Sequence, residues 1–182
     1  MASLEKAHTL EEKRAALIIK YRSFNVDAVE KEEEKLVYRI SRDDEHYLMH
    51  ILLNKKTVGI AFVRDLRDQI EAEGVTGGII VSDGKYTYSA RSNSVDMHIE
   101  LIPSSLPTFD IFQHAYVPLH EVVSEDERKA ISEQYHAEPY QFPWIKVTDP
   151  VAIILGGRPG DVLKITQDSE TAGLYYSYRY VV

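Results

Sequence analysis

Between residues 142 and 182 the chain is punctuated so densely by turn signals that few folds can accommodate it. The stretch reads FPWIKVTDPVAIILGGRPGDVLKITQDSETAGLYYSYRYVV. Asp149-Pro150, Gly156-Gly157 and Arg158-Pro159-Gly160 each interrupt a short apolar run. The segment 168–173 then joins the runs 162–167 and 174–182, a spacing that predicts a β-hairpin with a moderately long loop. The second run carries Tyr175, Tyr176, Tyr178 and Tyr180. Tyrosine suits a position that is dry at one end and wet at the other. The strand is therefore read as core or as interface, and both readings stay open for its opposite faces.

Upstream the periodicity changes. Thr9-Leu10-Glu11-Glu12 has the form of a capping box and predicts a helix to about Tyr21 that buries Ala16, Leu17 and Ile18. Segments 35–41 and 46–53 read as strands joined by residues 42–45, while the charged run 30–35 reads as a solvated face or loop. Residues 58–73 form an amphipathic helix pattern with Val63, Leu66 and Ile70 on one face, and Gly74 supplies the stop. Gly77-Gly78-Ile79-Ile80-Val81 is a short apolar run of the kind buried on both faces of a sheet, and Asp83-Gly84 is a turn. Strand, helix and buried strand in this order predict an α/β domain over 1–110. Prolines and serines in 103–112 mark its boundary. In 111–182 a helix at 124–135, with Ser124 and Glu127 in the capping-box pattern, precedes a small sheet, which predicts an α+β domain.

Charge narrows the function classes. Residues 1–110 hold 15 Lys and Arg against 19 Asp and Glu, and residues 111–182 hold 6 against 10, so the net charge of −8 divides evenly. Neither part is the basic body of a protein that grips nucleic acid alone, so any DNA contact is expected to be local and supported by partners. No cysteine is present, which excludes disulfides and thiolate metal sites. No apolar run approaches the roughly 20 residues of a membrane span, and the first residues lack a secretory h-region, so no membrane association is expected.

The C-terminal motifs resemble those of a known family. Pro143, Asp149-Pro150-Val151-Ala152, Gly156, Gly160, Val162, Lys164-Ile165, Ser169-Glu170-Thr171-Ala172-Gly173, Tyr175 and Tyr178-Arg179 match the assembly domain of the fifth common subunit of eukaryotic nuclear RNA polymerases and of its archaeal counterpart. His114, Val117-Pro118 and His120 match the segment leading into that domain. The resemblance extends more weakly through Val58-Gly59-Ile60, Gly78-Ile79-Ile80-Val81 and Thr87-Tyr88-Ser89-Ala90-Arg91 to the eukaryotic subunit's jaw domain, whose fold resembles restriction-type nucleases. The archaeal counterpart lacks this jaw, so the resemblance implies a eukaryotic-type subunit. It implies a non-catalytic structural subunit, without cofactor, located in the nucleus, or in the nucleolus if specific to polymerase I. It also implies partners: the largest subunit and other polymerase subunits, with peripheral contact to downstream DNA. The interface candidates it carries over are His114, His120, Pro143, Asp149, Pro150, Ser169, Glu170, Thr171, Ala172, Gly173, Tyr175, Tyr178 and Arg179. The DNA-contact candidates are Thr87, Tyr88, Ser89, Ala90 and Arg91. Read without the family, that second segment is a strand-to-helix connection capped by Ser89.

Other chemistry is weakly signalled. His46 and His50 fall on one strand face as ordinary, partly exposed histidines, and no third ligand suggests a metal. His114 and His120 are expected to hydrogen-bond locally. A Mg²⁺-dependent nuclease would need gathered carboxylates and a lysine. The candidate triplets Glu11-Glu12-Lys13, Glu33-Glu34-Lys35 and Asp83-Gly84-Lys85 sit in a helix, a charge run and a turn. Ser169 has no signalled base or oxyanion hole, so no catalytic residue is assigned. A free-standing interaction module is the remaining alternative. Ile153, Gln167-Asp168, Leu174 and Trp144 stand where the family usually carries basic or Arg-Pro residues. These exchanges are read as one altered surface, belonging to a divergent, polymerase-specific form of the subunit.

Overall fold

The computed structural model describes residues 9–169 and 173–182. The chain divides into two compact units, Met1–Phe109 and Asp110–Val182.

In the N-terminal unit Thr9 opens helix α1 (Leu10–Tyr21) with both bonds of a capping box. Glu12 N donates to Thr9 Oγ1 at 3.2 Å, and Thr9 N donates to Glu12 Oε2 at 2.8 Å. The buried stripe of α1 differs from expectation. Ala16 is only half-buried, while Ala15, Leu17, Ile18 and Ile19 are buried together with Glu11 and Arg14. Arg14 is tolerated there because each of its three guanidinium nitrogens has a partner. Nε donates to Leu106 O at 2.7 Å, one Nη to Ser104 O at 2.6 Å, and the other to Asp83 at 2.9 Å. A buried polar group costs little only when it is fully hydrogen-bonded.

Strands β1 (Asn25–Lys31), β2 (Lys35–Arg42) and β3 (Glu45–Leu52) follow as antiparallel neighbours. The charged run 30–35 thus begins inside β1, a strand the sequence pattern does not announce. β1 is an edge strand, bulged between Val26 and Ala28 and mostly exposed, so no inward-outward alternation marks it. A two-residue β4 (Thr57–Val58) leads into α2 (Ile60–Glu73), which stops at Gly74 in the left-handed region at φ +65°. Val63 and Leu66 are fully buried and Ile70 half-buried. β5 (Gly77–Ser82) pairs in parallel with β3 on one side and with β7 (Ile99–Ile102) on the other. All six of its residues are buried, as an apolar run in mid-sheet requires. β6 (Lys85–Tyr86) and α3 (Tyr88–Asp96) lie between β5 and β7 in sequence. The sheet order is β1-β2-β3-β5-β7. Val37, Leu48, Leu52, Ile80 and Ile99 face a core shared with Val63 and Leu66 of α2 and Ala90 of α3. α1 also packs against β3 and β5.

Gly78 shows how closely α2 approaches. A Cβ there would lie 2.7 Å from Leu66 Cδ2 and 2.8 Å from Ile70 Cδ1. Glycine within a strand commonly marks such a contact.

In the C-terminal unit a single 3₁₀ turn (Ile111–Gln113) is followed by β8 (Leu119–Val122), before the first α-helix, so the helix-first order expected from sequence is corrected. α4 (Glu125–Tyr135) is capped by Ser124 Oγ, which accepts from Glu127 N at 3.3 Å. Only half of the expected box forms, because the Glu127 carboxylate takes Lys164 Nζ at 3.1 Å. β9 (Trp144–Ile145) and α5 (Pro150–Leu155) follow. Asp149 Oδ1 caps α5 and Gly156 ends it at φ +75°, so the Asp-Pro and Gly-Gly signals frame a short helix. β10 (Val162–Ser169) and β11 (Gly173–Val181) pair antiparallel from Val162↔Tyr180 to Ser169↔Gly173. Three residues separate the strands, so the expected loop is shorter because both strands continue into it. The sheet order is β8-β10-β11-β9. Val162 and Leu163, being consecutive, serve opposite faces. Val162 packs with Val123, Ile131, Phe142, Tyr178 and Tyr180, and Leu163 packs with Ala152, Val181 and Ile145.

Candidate functional site

The segment 87–91 lies at the junction of β6 and α3. The cap is Thr87, whose Oγ1 accepts from Ala90 N at 3.2 Å. This corrects the assignment of the cap to Ser89, which lies in the first turn with its Oγ 3.2 Å from Thr87 Oγ1. Ala90 is fully buried in the core and offers no contact surface, so it leaves the set of DNA-contact candidates. Tyr88 is 87% exposed, and Ser89 and Arg91 are also exposed. The loop is held from beneath. Tyr86 OH lies 3.0 Å from Ile80 O and 2.9 Å from Ile102 O, and burial pushes its phenol pKa up, keeping it neutral.

The carboxylates of the candidate nuclease triplets are engaged by other partners. Asp83 is tied to Arg14, Glu11 accepts from Asn54 N at 3.2 Å, and Glu34 pairs with Lys55. A cavity of about 600 Å³ lies among these groups, lined by Glu11 and Asp83 but also by Lys55, Lys56 and Lys85. Among the described residues no group of three or more His, Cys, Asp or Glu could hold a metal ion.

His46 is exposed, but His50 is 1% exposed, which corrects its reading as a surface histidine. The face they share is covered at His50, whose Nε2 lies 3.1 Å from Gln69 Oε1 on α2. Burial pushes the His50 pKa down, Lys35 adds to this, and Gln69, Asp65 and Glu32 oppose it. The unfolded chain takes up this proton near pH 6.5, as an ordinary imidazole does, whereas the folded chain takes it up only at lower pH. The stability involved is thus complete above about pH 6.5 and is lost as pH falls toward the folded value. Asp65 and Glu73 have carboxyl pKa values below the ordinary range, so their contributions fade at still lower pH. The urea midpoint should therefore drop between about pH 7 and pH 5.5, and His50→Gln should flatten that drop. Equal drops in both proteins would contradict this assignment.

In the C-terminal unit several interface candidates have local structural roles. His120 Nδ1 lies 2.8 Å from Pro118 O, and His114 Nδ1 accepts from Tyr116 N at 3.2 Å. Asp149 caps α5, with Pro150 in its first turn. The Pro143 carbonyl accepts from Tyr180 N at 2.9 Å. Tyr178 packs edge-on to Tyr135, with ring centroids 5.7 Å apart, and contacts Phe142. Tyr175 is exposed, Arg179 is half-buried, and Gly173 starts β11 at φ +66°. Ser169 ends β10, while Glu170, Thr171 and Ala172 lie outside the described residues.

An exposed apolar row emerges from the register. Leu119 pairs with Thr166, and Thr166 pairs with Tyr176, so these side chains share one face, and Leu174 lies two residues along it. Leu119 is 55% exposed, Tyr176 47% and Leu174 60%. The same face carries Tyr178 and Tyr180 onto the core, so the tyrosine strand is core at one end and open at the other. Leu119 gives no signal in the sequence, because no residue of β8 is buried and the strand shows no inward-outward alternation. The exchanged positions do not form one surface. Trp144 pairs with Tyr180 and Leu174 with Asp168, six residues apart on β11 or roughly 20 Å.

The profile of the family described as RNA polymerase Rpb5, C-terminal domain, matches residues 109–181. The DNA-directed RNA polymerase subunit Rpo5 of Pyrococcus abyssi is 50% identical over 74 residues, covering 41% of this chain and 90% of that protein. The subunits of the same name from Methanococcoides burtonii and Sulfurisphaera tokodaii are each 43% identical, over 95% and 94% of their lengths. This chain belongs to the Rpb5 family of RNA polymerase subunits. A solved protein of unknown function, AF1548, covers 54% of this chain and 59% of its own at 18% identity and a TM-score of 0.38, a likeness that carries no weight for the fold.

Proposed function

We propose that this chain is a structural, non-catalytic subunit of a DNA-directed RNA polymerase. Its C-terminal unit docks on the largest subunit, and its N-terminal unit is a jaw of restriction-endonuclease-like fold beside downstream DNA. The observation that carries the reading is the match through almost the whole length of the Rpo5 subunits. Exposed Leu119, Tyr176 and Leu174, which share one face of the sheet with Thr166 between Leu119 and Tyr176, support docking by this unit. Exposed Tyr88, Ser89 and Arg91 support a peripheral DNA contact of the kind that positions a duplex without reading it. The chain acts within the transcription machinery. Its proposed location is the nucleus, or the nucleolus if it is specific to polymerase I.

Affinity purification of the tagged chain from its source cell tests the reading, with both large polymerase subunits expected in the eluate. Their absence, or Mg²⁺-dependent nicking of duplex DNA by the purified chain, would overturn it. Purifying polymerases I, II and III separately tests the specific form, since the same chain in all three would exclude it.

A further inference from the structure

The segment 87–91 contributes a single arginine, too little charge to hold a duplex. The fold adds two more cations beside it. β4 and β6 run parallel as neighbours, with Thr57 opposite Lys85 and Val58 opposite Tyr86. Val58 and Tyr86 are buried, so Thr57 and Lys85 face outward by strand alternation. Lys85 N donates to Lys56 O at 3.0 Å, and Thr87 N donates to Val58 O at 3.0 Å. Lys56, Lys85 and the Thr87 cap are thus fastened into one short edge, and Arg91 follows one helical turn later.

The pairing of charges singles this edge out. In the N-terminal unit Arg14, Arg22, Lys35, Arg39, Arg42, Lys55 and Arg67 each hold a carboxylate. Among the described residues Lys56, Lys85 and Arg91 form no ion pair, although acidic groups outnumber basic ones in this chain. The carboxylates in the adjoining cavity are engaged elsewhere, Asp83 by Arg14 and Glu11 by Asn54 N. Lys13, Lys31 and Arg64 also form no ion pair among the described residues, but they sit singly on α1, β1 and α2.

We propose that Lys56, Lys85 and Arg91 form a row of phosphate contacts for duplex DNA, with Tyr88 and Ser89 as flanking groups against sugar and phosphate. From Lys85 to Arg91 the row spans at most about 12 Å of strand and helix, roughly three base steps of one DNA strand. The exposed ring and hydroxyl within the row favour a nucleic acid over an acidic protein segment. The inference rests on the reading of this unit as a jaw beside downstream DNA.

Fluorescence anisotropy of the full chain with a labelled mixed-sequence duplex, read across a salt series, tests it. Three contacts predict a slope of log affinity against log salt of about −2.7. Lys56→Gln with Lys85→Gln should reduce this to about −0.9, and Arg91→Gln to about −1.8, while Lys31→Gln should leave it unchanged. An unchanged slope in the double-lysine variant overturns the inference. If Arg91→Gln still lowers the slope, the contact at 87–91 survives without the lysine row. No binding even at low salt also overturns the row, and the purification test then decides the subunit reading independently. Loss of polymerase subunits from the double-lysine variant with an unchanged DNA slope would assign the row to an acidic protein partner and refute it.

Discussion

Leu66→Ala should destabilise the N-terminal unit by about 2–5 kcal/mol, the range for emptying a fully buried leucine site. The site has little means of closing. Leu66 lies directly over Gly78, which has no side chain to expand into the space, and β5 is fixed by parallel neighbours on both sides. Gly78→Ala alone should cost about 1–3 kcal/mol, because its methyl meets Leu66 and Ile70 closer than carbon atoms pack. Together the two changes should cost less than their sum, since the alanine methyl at 78 occupies part of the volume vacated at 66. Urea denaturation of the two single variants and the double variant measures this. Additive losses would show that α2 and β5 do not share the close contact described.

Replacing Leu119, Leu174 and Tyr176 with serine should leave the fold intact and remove the chain from the polymerase. All three are exposed in the isolated chain, so their truncation empties no core. At an interface a few central apolar and aromatic side chains carry most of the affinity, and losing about 3 kcal/mol of it corresponds to roughly 100-fold weaker binding. Recovery of the large polymerase subunits with the tagged triple variant should fall accordingly. Val95→Ser, an exposed change on α3 in the other unit, should not alter recovery. Wild-type recovery by the triple variant would place the docking surface elsewhere.

The elements legible in the sequence were those specified by neighbouring residues. Thr9 and Glu12 satisfy each other across one turn, Val63 and Leu66 keep helical spacing, and Gly77–Ser82 is apolar throughout its first five residues. β1 could not be read because an exposed edge strand needs no alternating pattern. α5 has six residues, too few for a helical period, and its cap and stop signals resemble those of a turn. The C-terminal motifs pointed to the correct family, but several of them build the unit itself. Asp149 and Pro150 start a helix, and Tyr178 fills a core. The open apolar row arises only from register across β8, β10 and β11, which is set by pairing between distant segments. The burial of Arg14 and His50 likewise depends on partners far along the chain.

Arg14 also bears on the order in which the N-terminal unit is completed during synthesis. Its bonds to Asp83, Ser104 and Leu106 reach across 69, 90 and 92 residues of chain. At about 5–20 residues per second, roughly 5–20 s separate the translation of Arg14 from that of its last partner. Until those partners exist the guanidinium is hydrated, and burying it against the sheet without them would carry the cost of desolvation. Full burial of the first helix without a desolvation cost therefore requires the segment after β7, which supplies Ser104 and Leu106.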